Sequence, residues 1–189
     1  MGFRVLLIGI KGKSPEAIHR DFNVSPSGVF DEIPDAPVSG VSLPGGSYLL
    51  YIDESDEIIP EDRVFVRLSK NAELISCYAN ETVMDSLATG WKNGVKLWSV
   101  YHNGINGINL KLDIEGTLPA NFEEIRRCAV TKQEADDSVD FMFNVPIDLF
   151  IALGGIRYDS DPPIDSEKPW QQLIRTNIES NPYGTTIFR

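Results

Sequence analysis

Residues 3–10 read FRVLLIGI, a run of large apolar and β-branched side chains that only Arg4 and Gly9 interrupt. Runs of this length and composition are typical of strands buried inside a sheet. The segment Ser14-Pro15-Glu16 follows closely and carries three features of a helix start: a capping serine, a proline for the first turn, and an acid that the helix dipole favours. The chain is therefore predicted to begin with a buried strand and a helix.

The rest of the chain alternates between apolar runs and turn signals. Asn93-Gly94 is a strong signal for a two-residue hairpin turn, whereas residues 28–46 are rich in proline and glycine and predict a loop. Residues 82–91 fit either a strand or a helix. Strands are predicted at residues 47–52, 73–79, 95–102, 108–114 and 139–145, and helices at residues 120–135, at residues 147–153 and after Pro60-Glu61-Asp62.

This order of elements predicts an α+β fold, a mainly antiparallel sheet with helices packed on one face. Residues 1–158 are predicted to form a single α+β domain, because 189 residues is close to the usual size of one domain. Residues 159–189 contain few periodic apolar side chains. They are predicted to form an extended C-terminal tail that packs on the domain through Trp170 and Phe188, or is partly disordered.

Acidic residues outnumber basic ones, with 28 Asp and Glu against 17 Lys and Arg and a net charge of −11. Nucleic acid and anionic membrane surfaces would be repelled, so neither is predicted as a partner. A basic protein would be attracted, although an acidic surface also serves plain solubility. No apolar stretch approaches the length of a membrane span. Because Cys77 and Cys128 form no disulfide framework, and both lie in apolar surroundings, a reducing cytoplasm is the predicted location.

The densest group of acids lies in residues 53–62 and is the predicted binding site. Its spacing does not match a calcium-binding loop, and nothing in it separates two carboxylates into a catalytic acid and base. The segment is interpreted either as a solvated face or as a docking patch for a basic partner. Its six acids are Asp53, Glu54, Asp56, Glu57, Glu61 and Asp62.

No catalytic residue, cofactor or metal site is predicted. Residues 9–14 lie between a strand and a helix, as a phosphate-binding loop would, but Leu7 stands where that motif needs its first glycine. His19 lacks a second histidine at metal-ligand spacing.

His102 supports an alternative function, a small hydrolase or a small-molecule-binding domain with a pocket near this histidine. It would serve as a general base if a carboxylate oriented it and Ser99 or Tyr101 lay close, although Ser99 should point to the opposite face of the strand. A third alternative is a small-molecule sensor or a structural subunit. For that function an exposed apolar patch around Trp91 and Trp98 is expected.

Five short motifs stand out along the chain: LPGGSYLL at residues 43–50, GWKNG at 90–94, WSVYH at 98–102, VPIDL at 145–149 and GIRYD at 155–159. Together they resemble a group of uncharacterised bacterial proteins of the toxin-immunity type. The resemblance implies an immunity protein, the partner of a secreted toxin. Together with the acidic charge, it favours a non-catalytic protein that binds a basic toxin and blocks its active site by steric occlusion. It carries over no functional residue.

Overall fold

The structure, a computed structural model, describes residues 2–53, 61–105 and 107–176. Its helices are α1 (Pro15–Phe22), α2 (Asp62–Leu68), α3 (Phe122–Ala135) and α4 (Asn144–Ala152). Its strands are β1 (Arg4–Lys11), β2 (Val24–Asp31), β3 (Val38–Ser42), β4 (Ser47–Asp53), β5 (Glu73–Asn80), β6 (Asp85–Lys92), β7 (Val95–Asn103), β8 (Asp113–Gly116) and β9 (Trp170–Arg175). No helix in these ranges is long and apolar enough to cross a lipid bilayer.

The nine strands found in the described ranges form one sheet, in the order β2-β9-β3-β4-β1-β5-β6-β7-β8. Every ladder between neighbouring strands is antiparallel. The predicted α+β fold with a mainly antiparallel sheet is therefore confirmed. β1 lies at the centre, between β4 and β5, whereas β2 and β8 form the two edges.

Strand β1 is buried on both of its faces. One set of alternate side chains packs with Ile18 of α1 and Leu68 of α2. The other set, Val5 and Leu7, packs with Ile147 of α4. This corrects the expectation that the helices pack on one face. A central strand that is apolar on both sides has to be covered on both sides, since exposed apolar surface is unfavourable in water.

Two local predictions are confirmed by the backbone geometry. Helix α1 begins at Pro15, and the Ser14 hydroxyl accepts a hydrogen bond from the Ala17 N–H at 3.3 Å. Asn93 and Gly94, with φ angles of 51° and 81°, form the turn between β6 and β7. The ambiguous segment before this turn is strand β6, which pairs along its length with β5 and β7.

The segment predicted as a loop, residues 28–46, contains the end of β2 and all of β3. Proline and glycine are tolerated in β2 because it is an edge strand, and its register with β9 shifts between Pro26 and Phe30. The prediction of a loop is therefore wrong for residues 28–31 and 38–42, which belong to strands.

The chain after residue 158 contributes a strand to the sheet. β9 lies between β2 and β3, and its first residue, Trp170, is only 2% exposed. The indole meets the ring of Tyr51 in β4 edge-on, with the ring centroids 5.7 Å apart. Phe188, the other predicted packing residue of the tail, lies outside the described residues.

Two of the predicted strands are wrong. Within residues 108–114, only the last two belong to a strand, the exposed edge strand β8. Residues 139–145 alternate in polarity but form a turn that leads into α4. Buried polar side chains hold this turn, as described below.

Replacing Trp170 with alanine tests whether β9 belongs to the folded core. We expect Trp170→Ala to lower the free energy of unfolding by about 3–5 kcal/mol, because it leaves a large cavity. Ile174→Ala on the same strand is the matched control. Since Ile174 is 57% exposed, its loss should cost less than about 1 kcal/mol. Urea denaturation measures both variants, and equally small losses would contradict a structural role for β9.

Candidate functional site

The acidic segment predicted to bind a partner connects β4 with α2. Asp53 ends β4, and Glu61 and Asp62 stand at the start of α2; all three are exposed. Glu61 forms an ion pair with Arg63 at 2.9 Å. Asp62 lies in the first turn of α2, where the helix dipole favours a negative charge. The remaining acids of the segment, Glu54, Asp56 and Glu57, lie outside the described residues.

His102, the candidate general base, is completely buried in β7. Its Nε2 lies 2.9 Å from Asp140 Oδ2, and its Nδ1 lies 3.3 Å from the carbonyl oxygen of Lys111. A carboxylate does therefore orient the imidazole. Both ring nitrogens face oxygen atoms inside the protein, so a substrate has no access to them in this arrangement.

Ser99 and Tyr101, the hydroxyl residues that the general-base hypothesis requires near His102, lie on the other face of β7. The Ser99 hydroxyl donates to Glu115 at 3.3 Å, and the Tyr101 hydroxyl donates to Asp85 at 3.2 Å. The structure thus brings His102 together with an acid, Asp140, but not with the predicted hydroxyls of Ser99 and Tyr101.

The pair formed by His102 and Asp140 anchors the turn that precedes α4. Asp140 Oδ1 accepts a hydrogen bond from the Phe143 N–H at 3.2 Å. Ser86, the cross-strand partner of His102, donates to the Phe143 carbonyl at 2.7 Å. Two neighbouring side chains of the sheet therefore fix the position of α4, which explains why residues 139–145 leave the extended conformation.

Gln133 secures the same connection from the side of α3. Its amide nitrogen donates to the carbonyls of Asp136 and Val139, and its amide oxygen accepts from the Phe141 N–H at 2.8 Å. Gln133 is 8% exposed. Because buried backbone groups need hydrogen-bond partners, this side chain stabilises the segment that connects α3 with α4.

The second histidine, His19 on α1, is also turned inward. Its Nε2 lies 2.7 Å from the Tyr48 hydroxyl. Burial lowers the pKa of His19, against the opposing effect of Glu16. Gly40 on β3 leaves room for this pair, because a Cβ atom there would clash with the Tyr48 hydroxyl. No cluster of metal-ligating side chains is found in the described ranges.

The indoles of Trp91 and Trp98 are buried, at 5% and 6% exposure. Trp91 stacks on Phe65 of α2, with the ring centroids 5.6 Å apart. The two residues Val95 and Leu97, which stand between these tryptophans in the sequence, are exposed. The tryptophans themselves therefore serve the core rather than an apolar docking patch.

A cleft of about 680 Å³ lies between α3, α4 and the segment after α4. Helix α3 lines it with side chains one and two turns apart, Glu124, Cys128 and Lys132, and α4 presents Asn144, Asp148 and Ala152 at the same spacing. Residues four apart on a helix share one face. Two helical stripes thus form the walls of the cleft.

Charged groups of both signs face this cleft. Arg157 pairs with Asp159 at 2.9 Å and donates to Asn144 Oδ1 at 3.2 Å. Partial desolvation raises the pKa of Asp148, although this residue is exposed. The positive charges of Arg157 and Lys132 act in the opposite direction and lower this pKa. Within the described ranges neither cation comes into ion-pair contact with Asp148.

Sequence reasoning missed this cleft. The helix predicted at residues 120–135 is confirmed as α3, whose buried side chains are Phe122, Ala129 and Gln133. Cys128 lies in an apolar stretch of the sequence, which is typical of a buried thiol, but it is exposed. The spacing of Glu124, Cys128 and Lys132 indicates that they share one face of the helix. The sequence around them does not indicate that this face lies opposite α4.

Comparison of this chain with family models, with curated proteins and with solved structures finds no match. The interpretation of both the acidic segment and the cleft therefore rests on their geometry and charge.

Removing the carboxylate of Asp140 tests its anchoring role. We expect Asp140→Ala to lower the free energy of unfolding by about 2–4 kcal/mol, because it leaves the buried imidazole and the Phe143 N–H without their acceptor. Asp137→Ala, an exposed acid in the same connection, should change it by less than about 0.5 kcal/mol. Chemical denaturation gives both values. If the two variants were equally stable, Asp140 would not hold the turn.

Proposed function

We propose that this chain is a non-catalytic cytoplasmic protein that binds a basic protein partner, as an immunity protein binds a toxin. The partner's active site would be blocked by steric occlusion. The observation that carries this proposal is the net charge of −11, together with the exposure of most acidic side chains in the described ranges. A surface of one sign attracts a partner of the other sign at long range and speeds the encounter.

The buried position of the histidines supports a binding function over catalysis. His102 is hydrogen-bonded to Asp140 and His19 to Tyr48, and both histidines are buried. A general base has to come within hydrogen-bond reach of its substrate. The alternative of a hydrolase acting through His102 would require the turn before α4 to open.

Both cysteines are free, with Cys77 buried and Cys128 exposed. Free thiols are usual in a reducing compartment, where disulfides rarely persist. This supports the cytoplasmic location in the proposal.

The acidic segment around residues 53–62 is the proposed docking surface. Its described ends, Asp53 and Glu61, are exposed and lie where β4 passes into α2. Surface ion pairs contribute modestly to affinity but strongly to the rate of association and to its dependence on salt. Binding of the partner is therefore expected to weaken as the salt concentration rises.

Charge reversal tests the assignment of this surface. The protein is immobilised, exposed to a lysate of its own source at low salt, and eluted with increasing salt; retained proteins are identified by mass spectrometry. The triple variant Asp56→Lys, Glu57→Lys and Glu61→Lys should retain at least about tenfold less of the basic partner, equivalent to ~1.4 kcal/mol.

The matched control reverses three exposed acids elsewhere, Asp161→Lys, Asp165→Lys and Glu167→Lys. It carries the same change in net charge and should still retain the partner. A retained protein that is toxic when expressed alone, and harmless together with this chain, is the expected result. Equal retention by both triple variants would show that residues 53–62 are the wrong surface.

A further inference from the structure

The cleft between α3 and α4 separates opposite charges that do not touch. Lys132 and Arg157 are close enough to Asp148 to oppose the rise of its pKa, and among the described residues they form no ion pair with it. Glu124 is the second acid of the lining. Glu124, Lys132 and Asp148 are exposed, and Arg157 is half-buried. Here open space lies between them.

The lining balances two acids against two bases. A simple cation drawn to Asp148 would meet the charge of Lys132, and a simple anion drawn to Lys132 would meet that of Asp148. Arg157 already forms an ion pair with Asp159, but a ligand that carries both signs would still find a partner for each of its charges in this lining. Apolar surface beside the charges, from Ile125, Ala129 and Phe141, provides a contact for the body of such a ligand.

We propose that this cleft binds a small zwitterion, an apolar amino acid or a short peptide with free ends. Its ammonium group would face Asp148 and Glu124, and its carboxylate would face Lys132 and Arg157. The cleft volume of about 680 Å³ falls in the range of small-molecule sites, roughly 300–1,000 Å³. This site is separate from the acidic segment and independent of the proposed protein partner.

The thiol of Cys128 can report whether a ligand occupies the cleft. Cys128 lines the cleft and is exposed. Cys77 is only 1% exposed and burial raises its pKa, so its thiol stays unreactive in the folded protein. Alkylation of the native protein by iodoacetamide therefore reports on Cys128 alone, and intact-mass spectrometry follows its rate.

The experiment measures this alkylation rate with and without a panel of apolar amino acids and their dipeptides, taking leucine as an example. Free leucine, N-acetylleucine and leucinamide form one matched set, since the last two lack one charge each. We expect members of the panel to slow alkylation in a saturable way. Each blocked form should bind at least about tenfold more weakly than its free parent, or ~1.4 kcal/mol.

Variants at the cleft complete the test. Asp148→Asn and Lys132→Met should each weaken protection at least about tenfold, or ~1.4 kcal/mol, whereas Glu134→Gln, an exposed acid of α3 outside the lining, should leave it unchanged. Calorimetry on Cys128→Ser should give the same affinity without the thiol. The proposal is overturned if no member of the panel protects Cys128, if blocked and free forms protect equally, or if Asp148→Asn binds as well as the unmodified protein.

Discussion

The burial of β1 on both faces is the constraint on which the rest of the structure depends. A strand in the middle of an antiparallel sheet with apolar side chains on both sides requires a layer of helices on each side. α1 and α2 cover one face, and α4, flanked by α3, covers the other. The cleft exists because α4 has to sit on the sheet while α3 packs beside it.

The polar groups inside this scaffold are used for structure. The His102–Asp140 pair, together with Ser86, fastens the turn before α4, and the His19–Tyr48 pair joins α1 to β4. Buried polar groups that are fully bonded give a core a single arrangement, at the cost of being unavailable to a ligand. The two proposed binding sites, the acidic segment and the cleft, therefore do not use these buried groups.

Strong local signals predicted the parts of the fold that they control. The apolar run of β1, the cap at Ser14 and the turn at Asn93-Gly94 act within a few residues, so they can be read from the sequence. The prediction of a strand at residues 139–145 is wrong because it rested on their alternating polarity alone. The contact of Asp140 with His102, 38 residues away in the sequence, turns the chain toward α4 instead. The placement of β9 and of the cleft depends on similar long-range contacts. The acidic segment could be found from composition alone, but its role could not.

Amide hydrogen exchange, resolved by residue, tests the central role of β1 most directly. If β1 is covered on both faces, its amides exchange only when the whole protein unfolds, with the same free energy as those of β4 and β5. The amides of the edge strand β8, whose side chains are all exposed, should exchange through local opening and much faster. Exchange in β1 as fast as in β8 would contradict this account, because the strand that both helical layers cover would then not be the most stable part of the molecule.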